Sequence, residues 1–346
     1  MSGMRAARMT GVGKPVEIHE VPVPAPGPGE VLVRVAACGV CASDVHVLDG
    51  SLPAMPPLPV TMGHEPSGTV EAAGEGVLWP APGDRVVMHA GKRCGACRPC
   101  RAGHGLEECL FVRTMGVDFD GAWADYVVVP ASSCVALPKS IPFDQGAILA
   151  DAVATPYAAV VETGQVRPGD RVAIFGVGGL GTHAVQIARL CGASFVAAVD
   201  PRQSARSRAT ALGADIAVDP DGAVGAIRDA TGGEGVDAAF DFVGANAVVK
   251  ACVSSLARGG RAVIVGVGGE KISLGPSILF ALKHSQLRGA YGYRRTHIET
   301  LVSLVASGRL DLSASITANM PLEQAADAVE ILATKRGDPV RIILSP

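Results

Sequence analysis

The sequence predicts an α/β chain of two domains, a β-rich one first and one built on a doubly wound parallel sheet after it. Three observations carry this expectation. The 346 residues exceed one average domain and fall short of three. Short alternating runs between Pro- and Gly-rich turns fill the first 150 residues, and after about residue 151 strands begin to alternate with helices. A glycine-rich turn in the second region joins an apolar strand to a helix, where such sheets bind dinucleotides.

Composition sets the limits. Hydrophobic residues make up 48% and charged residues 18%, enough to bury large cores and too few charges for a disordered chain. Aromatics are only 4%, so Val, Ala, Leu and Ile must build the cores. A net charge of −3 leaves no electrostatic footprint for nucleic acid. The mean hydropathy of +0.32 raises the question of a membrane span. The longest stretch without charge or proline, between Arg171 and Arg189, holds four glycines plus Thr182, His183 and Gln186. It reads as strand, turn and helix, so no membrane partner is expected. Arg5, Arg8 and Lys14 have no apolar core between them, so no secretory signal is expected either and the cytoplasm is the expected setting.

The elements follow in order. Val31–Val35 and Tyr126–Val129 read as strands, and the segment from Val21 to Glu30, with four prolines, as an extended connector or edge. Pro-Gly-Asp-Arg-Val occurs at 82–86 and 168–172, each copy a turn launching a strand. Then come a strand Arg171–Val177, a helix over 179–191 stopped by Gly192, a strand Phe195–Val199, and a helix over 201–212 from Pro201 to Gly213. Strands recur at 215–218, 236–243, 261–267 and 286–291, helical patterns at 296–307 and 321–335, and a last strand at Val340–Leu344.

The nine cysteines are unevenly spaced. Cys134, Cys191 and Cys252 are isolated in apolar segments and read as buried small hydrophobes. Cys94, Cys97, Cys100 and Cys109 crowd into one glycine-containing loop, the soft, closely spaced ligands of a closed tetrahedral zinc site. A second group is dispersed: Cys41 through His46, then His64-Glu65, then Asp151. A catalytic zinc needs about three protein ligands and an open position, and thiolate, imidazole and carboxylate supply three. Taken alone, His64 reads equally as a core histidine and Asp151 as a helix cap.

Gly176-Val177-Gly178-Gly179-Leu180-Gly181 follows a strand and opens a helix, as a pyrophosphate-binding turn requires. Asp200 ends the next strand at the distance expected of a carboxylate that binds ribose hydroxyls, which favours NAD over NADP. Arg202, Arg206 and Arg208 read as a solvated helix face, with a softening of that preference as the sharper alternative.

At these residues the chain resembles the zinc-containing medium-chain alcohol dehydrogenases over nearly its whole length. The motifs are Cys41-x-Ser43-Asp44, Gly63-His64-Glu65-x-x-Gly68, the four-cysteine loop, and the glycine turn with Asp200. The resemblance implies a GroES-like β-rich catalytic domain over 1–151 and 294–346, with a Rossmann domain over 152–293 inserted. It implies two zinc ions per chain. Cys41, His64 and Asp151 would hold the catalytic one, Asp151 being least secure because many members carry Cys there. Cys94, Cys97, Cys100 and Cys109 would hold the structural one. The usual spacing falls on Glu108, so Glu108 or His104 stays open as the fourth ligand beside Cys109. Asp44 resembles the acid that orients the zinc histidine, and Glu65 an acid near the metal. NAD would meet Gly176, Gly178, Gly179, Leu180, Gly181, Asp200, Thr155, Val265, Val267 and Arg341.

The chemistry implied is reversible hydride transfer between a primary or secondary alcohol and NAD, giving an aldehyde or ketone. Ser43 would take the alcohol proton and pass it through cofactor ribose to His46, whose ordinary pKa of about 6.5 suits exchange with water. Polyol dehydrogenases and NADP-preferring reductases share the architecture and stand as alternatives, as does an inactive nucleotide-binding protein. Trp123, Tyr291 and Tyr293 are candidates for pocket walls. The expected assembly is a homodimer or homotetramer.

Overall fold

The computed structural model describes residues 3–52, 56–106 and 108–346. It forms two compact units, the chain up to Ala152 together with Arg294–Pro346, and Val153–Tyr293. No helix among the described residues is long and apolar enough to cross a membrane.

The first unit is organised by the strand Glu30–Val40, which pairs with Glu65–Ala73, Tyr126–Pro130 and Arg341–Ser345. These strands belong to one seven-stranded sheet, completed by Arg85–Met88, Cys134–Ala136 and Ile316–Pro321. Tyr126–Pro130 alternates between buried and half-buried positions, the period of two that one covered face imposes. The inward positions, among them Val31, Val33, Val35, Val86, Met88, Val127 and Leu344, build an aliphatic core around the fully buried Trp123. Each such side chain contributes about 1.5–3 kcal/mol by leaving water. Glu17–Pro22 pairs with Gly3–Met9 in a separate three-stranded sheet, so the proline-rich connector begins only after Pro22.

The second unit is a six-stranded, wholly parallel sheet in the spatial order Ile216–Val218, Phe195–Val199, Arg171–Phe175, Val236–Asp241, Leu256–Ile264, Gln286–Gly289. Arg171–Phe175 is apolar and buried along nearly its whole length, as a strand covered on both faces must be. The order reverses beside this strand, the point at which open α/β sheets bind ligands. Four strands end earlier than the apolar runs suggest, those expected over 171–177 and 261–267 stopping at Phe175 and Ile264. The expected strand over 236–243 stops at Asp241, whose Oδ1 accepts the N–H groups of Val243 at 2.8 Å and Gly244 at 3.0 Å and turns the chain. The expected strand over 286–291 stops at Gly289.

Both Pro-Gly-Asp-Arg-Val copies make the same turn, with glycine φ of 93° and 95°. The aspartate accepts a backbone N–H three residues upstream, from Ala81 at 2.8 Å and from Arg167 at 3.1 Å. One local feature was invisible in the sequence. The helix Phe143–Ile148 runs into a π-helical stretch, Leu149–Val153, before Ala154–Tyr157 resumes the α form. Such wide turns are frequent at functional sites, and Asp151 lies in this one.

Candidate catalytic and cofactor sites

Strand register gathers the first site. Gly39 pairs with Glu65 and Val40 with Ile342, which sets Cys41, His64-Glu65 and Arg341 at one end of the sheet. A Cβ on Gly39 would run into the Glu65 carboxylate, so a larger residue there would displace the Glu65 side chain. Gly63, at φ 93°, makes the turn that presents His64, and a Cβ on it would meet Trp123 at 2.2 Å. Ligating atoms of Cys41, His64, Glu65 and Asp151 all lie within 4.8 Å of one another. Cys41 Sγ is 3.5 Å and His64 Nε2 is 3.9 Å from Asp151 Oδ2.

Asp44 sits behind this group. Its Oδ1 is 3.1 Å from His64 Nδ1, and its Oδ2 accepts the Cys41 N–H at 2.8 Å, closing the first turn of the helix Ala42–Asp49. Engaging Nδ1 leaves Nε2 directed at the cluster, the arrangement that second partners impose on metal-binding histidines. Burial opposes charge on His64, yet Asp44 outweighs it and raises the imidazole well above its usual pKa. Burial likewise pushes the Cys41 thiol up, but Arg341 and His64 overcome it and the net is a lowered value. Glu65 is raised well above the ordinary range, by burial first and then by Cys41 and Asp151, against the pull of Arg341.

Arg341 is only 2% exposed. Its Nη1 lies 3.1 Å from Glu65 Oε1 and donates to the Val40 carbonyl at 3.2 Å. Neither Glu65 oxygen accepts a hydrogen bond among the described residues. A soft thiolate, an imidazole directed by a carboxylate, and two further carboxylates, one with orphaned oxygens, form a donor set suited to a zinc ion. Ser43 Oγ is 3.7 Å from Cys41 Sγ. His46 lies one turn further along the same helix face, with Nδ1 2.9 Å from Ser51 Oγ.

The second group lies in the loop around the short helix Arg98–Arg101. Ligating atoms of Cys94, Cys97, Cys100 and Cys109 fall within 4.8 Å of one another, and the exposed His104 and Glu108 stand outside the group. Cys109 Sγ accepts the Cys94 N–H at 3.3 Å, and Cys94 Sγ accepts the Cys97 N–H at 3.4 Å. The backbone N–H groups of Cys100 and Leu110 bring the Cys97 thiol down to about 6. Cys94 is lowered too, by the Cys97 and Ala96 amides, whereas burial and the neighbouring thiols push Cys100 up to about 12; four close thiols of this kind suit a closed zinc site. Cys38 stays apart from both groups, its thiol raised by burial. Of the three isolated cysteines, Cys134 and Cys252 are buried and Cys191 half-buried.

In the second unit the glycine turn follows Arg171–Phe175 and opens the helix Gly181–Leu190. Gly176 has φ 88°, and a Cβ on Gly181 would lie 1.9 Å from the Gly176 carbonyl. These two are needed by the fold itself. At Gly178 a Cβ would meet nothing within 4 Å, so the protein alone gives no reason for glycine there. An open cradle of this kind suits the pyrophosphate of a nicotinamide dinucleotide. Asp200 Oδ2 accepts the Val177 N–H at 2.9 Å, and Oδ1 accepts both N–H at 3.0 Å and Nε–H at 3.2 Å of Arg202. The arginines expected on a solvated face turn inward instead: Arg206 bonds the Asp200 carbonyl and Arg208 the Val177 carbonyl. Thr155 is half-buried in Ala154–Tyr157, and Val265 is buried and Val267 exposed beyond the strand Leu256–Ile264.

Comparison with known proteins agrees with this architecture. Residues 27–139 match the family model of the alcohol dehydrogenase GroES-like domain, and residues 179–307 that of the zinc-binding dehydrogenases. An alcohol dehydrogenase of Geobacillus stearothermophilus is 35% identical over 330 residues, covering 94% of this chain and 95% of that one. An NAD-dependent alcohol dehydrogenase of Sulfurisphaera tokodaii is 32% identical, covering 95% and 96%. A zinc-binding dehydrogenase of Sinorhizobium meliloti, solved bound to NADP, superposes with a TM-score of 0.91 at 32% identity over the whole of both chains.

Proposed function

This chain belongs to the zinc-containing medium-chain dehydrogenase family, with the alcohol dehydrogenases, and from that premise we propose that it is an NAD-dependent alcohol dehydrogenase. It interconverts a primary or secondary alcohol with the aldehyde or ketone by hydride transfer. The observation that carries the reading is the donor set of the buried Cys41 and His64 with the half-buried Asp151, with Asp44 behind the histidine and a hydroxyl, Ser43, beside the thiol.

Cys41, His64 and Asp151 would hold one zinc ion and the four thiols of the 94–109 loop a second, structural one. Bound at the first set, zinc supplies Lewis acidity that lowers the pKa of an alcohol hydroxyl, and nicotinamide accepts the hydride. Asp44 fixes the His64 tautomer, so that Nε2 offers its lone pair to the metal. Glu65 adds a fourth donor residue, a second carboxyl beside that of Asp151, with Arg341 balancing its charge. Ser43 Oγ would accept the alcohol proton while releasing its own, through cofactor ribose, to His46 on the same helix face, which exchanges it with water.

The glycine turn holds the pyrophosphate through its N–H groups, with Asp200 on the adenosine ribose and Thr155, Val265 and Val267 against the nicotinamide. The Sinorhizobium neighbour binds NADP and the Sulfurisphaera relative is NAD-dependent, so membership alone does not choose the dinucleotide; Asp200 favours NAD. The proposed assembly is a homodimer or homotetramer, in a reducing compartment such as the cytoplasm where thiolate ligands persist.

The test is NADH formation with aliphatic, aromatic, secondary and polyol alcohols and threonine, before and after chelation. Activity on a simple alcohol that chelation abolishes supports the reading. Folded, zinc-loaded protein that oxidises no alcohol sinks it, and turnover confined to sorbitol or threonine replaces it with a polyol or amino-alcohol activity.

A further inference from the structure

An aspartate at the end of the second strand excludes a 2′-phosphate by presenting an uncompensated negative charge to it. Asp200 does not present one. Both its oxygens are engaged within the chain, and the Arg202 guanidinium lies 3.2 Å from Oδ1. The side chain of Asp200 is 5% exposed and that of Arg202 28%, so the pair shows solvent its cation and buries its anion.

Two more arginines converge on the same corner. Arg206 Nη1 donates to the Asp200 carbonyl at 2.7 Å, the Pro201 carbonyl at 2.8 Å and Asp219 Oδ2 at 3.0 Å. Arg208 donates to Thr182 Oγ1 at 3.4 Å and the Val177 carbonyl at 3.3 Å. The guanidiniums of Arg202, Arg206 and Arg208 thus gather around Asp200 and Asp219 beside the glycine turn. A guanidinium is planar, always charged and matched to phosphate oxygens.

We propose that Arg202 is a specificity-determining residue that admits a 2′-phosphorylated dinucleotide, so that the protein binds NADP(H) as well as NAD(H). The inference rests on the cofactor reading above. Bound NADP(H) draws the Arg202 guanidinium from Asp200 to the 2′-phosphate, and Asp200 keeps its bond to the Val177 N–H. With NAD(H), Arg202 stays on Asp200, and the ribose hydroxyls donate to the remaining lone pairs of the carboxylate.

The experiment measures Kd for NADPH and NADH by nucleotide fluorescence, and for the fragments 2′,5′-ADP and 5′-AMP by calorimetry, on the zinc-loaded protein. The expected NADPH-to-NADH ratio of Kd in the unmodified protein is within about thirtyfold, since the charge that would exclude the phosphate is compensated. Arg202→Ala uncovers Asp200 and is expected to raise that ratio at least tenfold, with the fragment pair following. Arg202→Lys, which keeps the charge, is expected to retain most NADPH affinity. Binding of NADH with a wider initial ratio overturns the inference and leaves the cofactor reading standing, as does a ratio that Arg202→Ala does not move. Protein that binds neither dinucleotide overturns both.

Discussion

Gly178→Ala separates what the cofactor requires of the glycine turn from what the fold requires. In the protein itself the new methyl meets no atom within 4 Å, and Gly178 is not among the glycines at positive φ. Such a substitution costs the native state nothing and stiffens the unfolded chain, a gain of about 0.4–1 kcal/mol. For a unit of this size that is a rise in Tm of roughly 1–4 °C. The dinucleotide meets the opposite effect. If the pyrophosphate approaches the backbone at this residue, the methyl holds it off and a charge-assisted hydrogen bond of about 1.5–3 kcal/mol is lost. At about 1.4 kcal/mol per factor of ten, the NADH Kd rises on the order of 10- to 150-fold. Thermal melts followed by circular dichroism and an NADH fluorescence titration read the two effects separately. An affinity within twofold of the unmodified protein refutes the assignment of the pyrophosphate to this turn. A fall in Tm of more than about 5 °C would instead show that the space beside Gly178 is not open, contradicting the overpacking argument.

Three further outcomes are expected. Gly181→Ala puts a Cβ 1.9 Å from the Gly176 carbonyl, and such backbone overpacking costs at least about 1–3 kcal/mol. The melting temperature and cofactor affinity therefore fall together, and a neutral melt is the contrary result. Asp44→Asn removes the charge behind His64 while keeping an acceptor for the Cys41 N–H, so zinc affinity at this group drops about 10- to 100-fold. Zinc content by mass spectrometry after dialysis at graded free zinc checks this, and unchanged occupancy defeats it. Ser43→Ala is expected to lower turnover by about 10²-fold or more with zinc content intact, and wild-type rates from that variant dispose of the proposed proton path.

The sequence revealed the motifs far better than their meeting. Cys41 with Asp44 and His64 with Glu65 are legible because metal and proton chemistry restrict residue type at short spacing, and the four-cysteine loop is legible for the same reason. The doubly wound sheet could be read because strands buried on both faces are apolar throughout, as Arg171–Phe175 is. Three features left no such trace. Asp151 approaches Cys41 from a π-helical turn, and hydrophobic periodicity carries no sign of one extra residue in a helix. Arg341 reaches Glu65 through strand register between segments some 270 residues apart. Arg202 folds back on Asp200, whereas its place beside the start of Gln203–Ala211 reads equally well as solvated.

The charges gathered at the catalytic group explain why Arg341 is buried there. Asp44, Glu65, Asp151 and a Cys41 thiolate would carry four negative charges, and Arg341 supplies one positive charge. An interior cannot hold a net charge of −3 without protonating some of these groups. The chain alone responds in that way: Glu65 is driven toward its neutral form and His64 toward its charged one. A zinc dication would answer the same excess differently, letting Cys41 and both carboxylates stay ionised and His64 stay neutral with Nε2 as donor. Arg341 then has a role that no side chain outside the cluster could take. It keeps Glu65 anionic within reach of the metal, without Glu65 having to be a permanent ligand. In the thiol loop backbone N–H donors take up part of the charge instead. The two groups thus differ in kind: four like thiols in one, and in the other mixed donors beside a buried cation, the kind of donor set that in zinc enzymes leaves a position open for water or substrate.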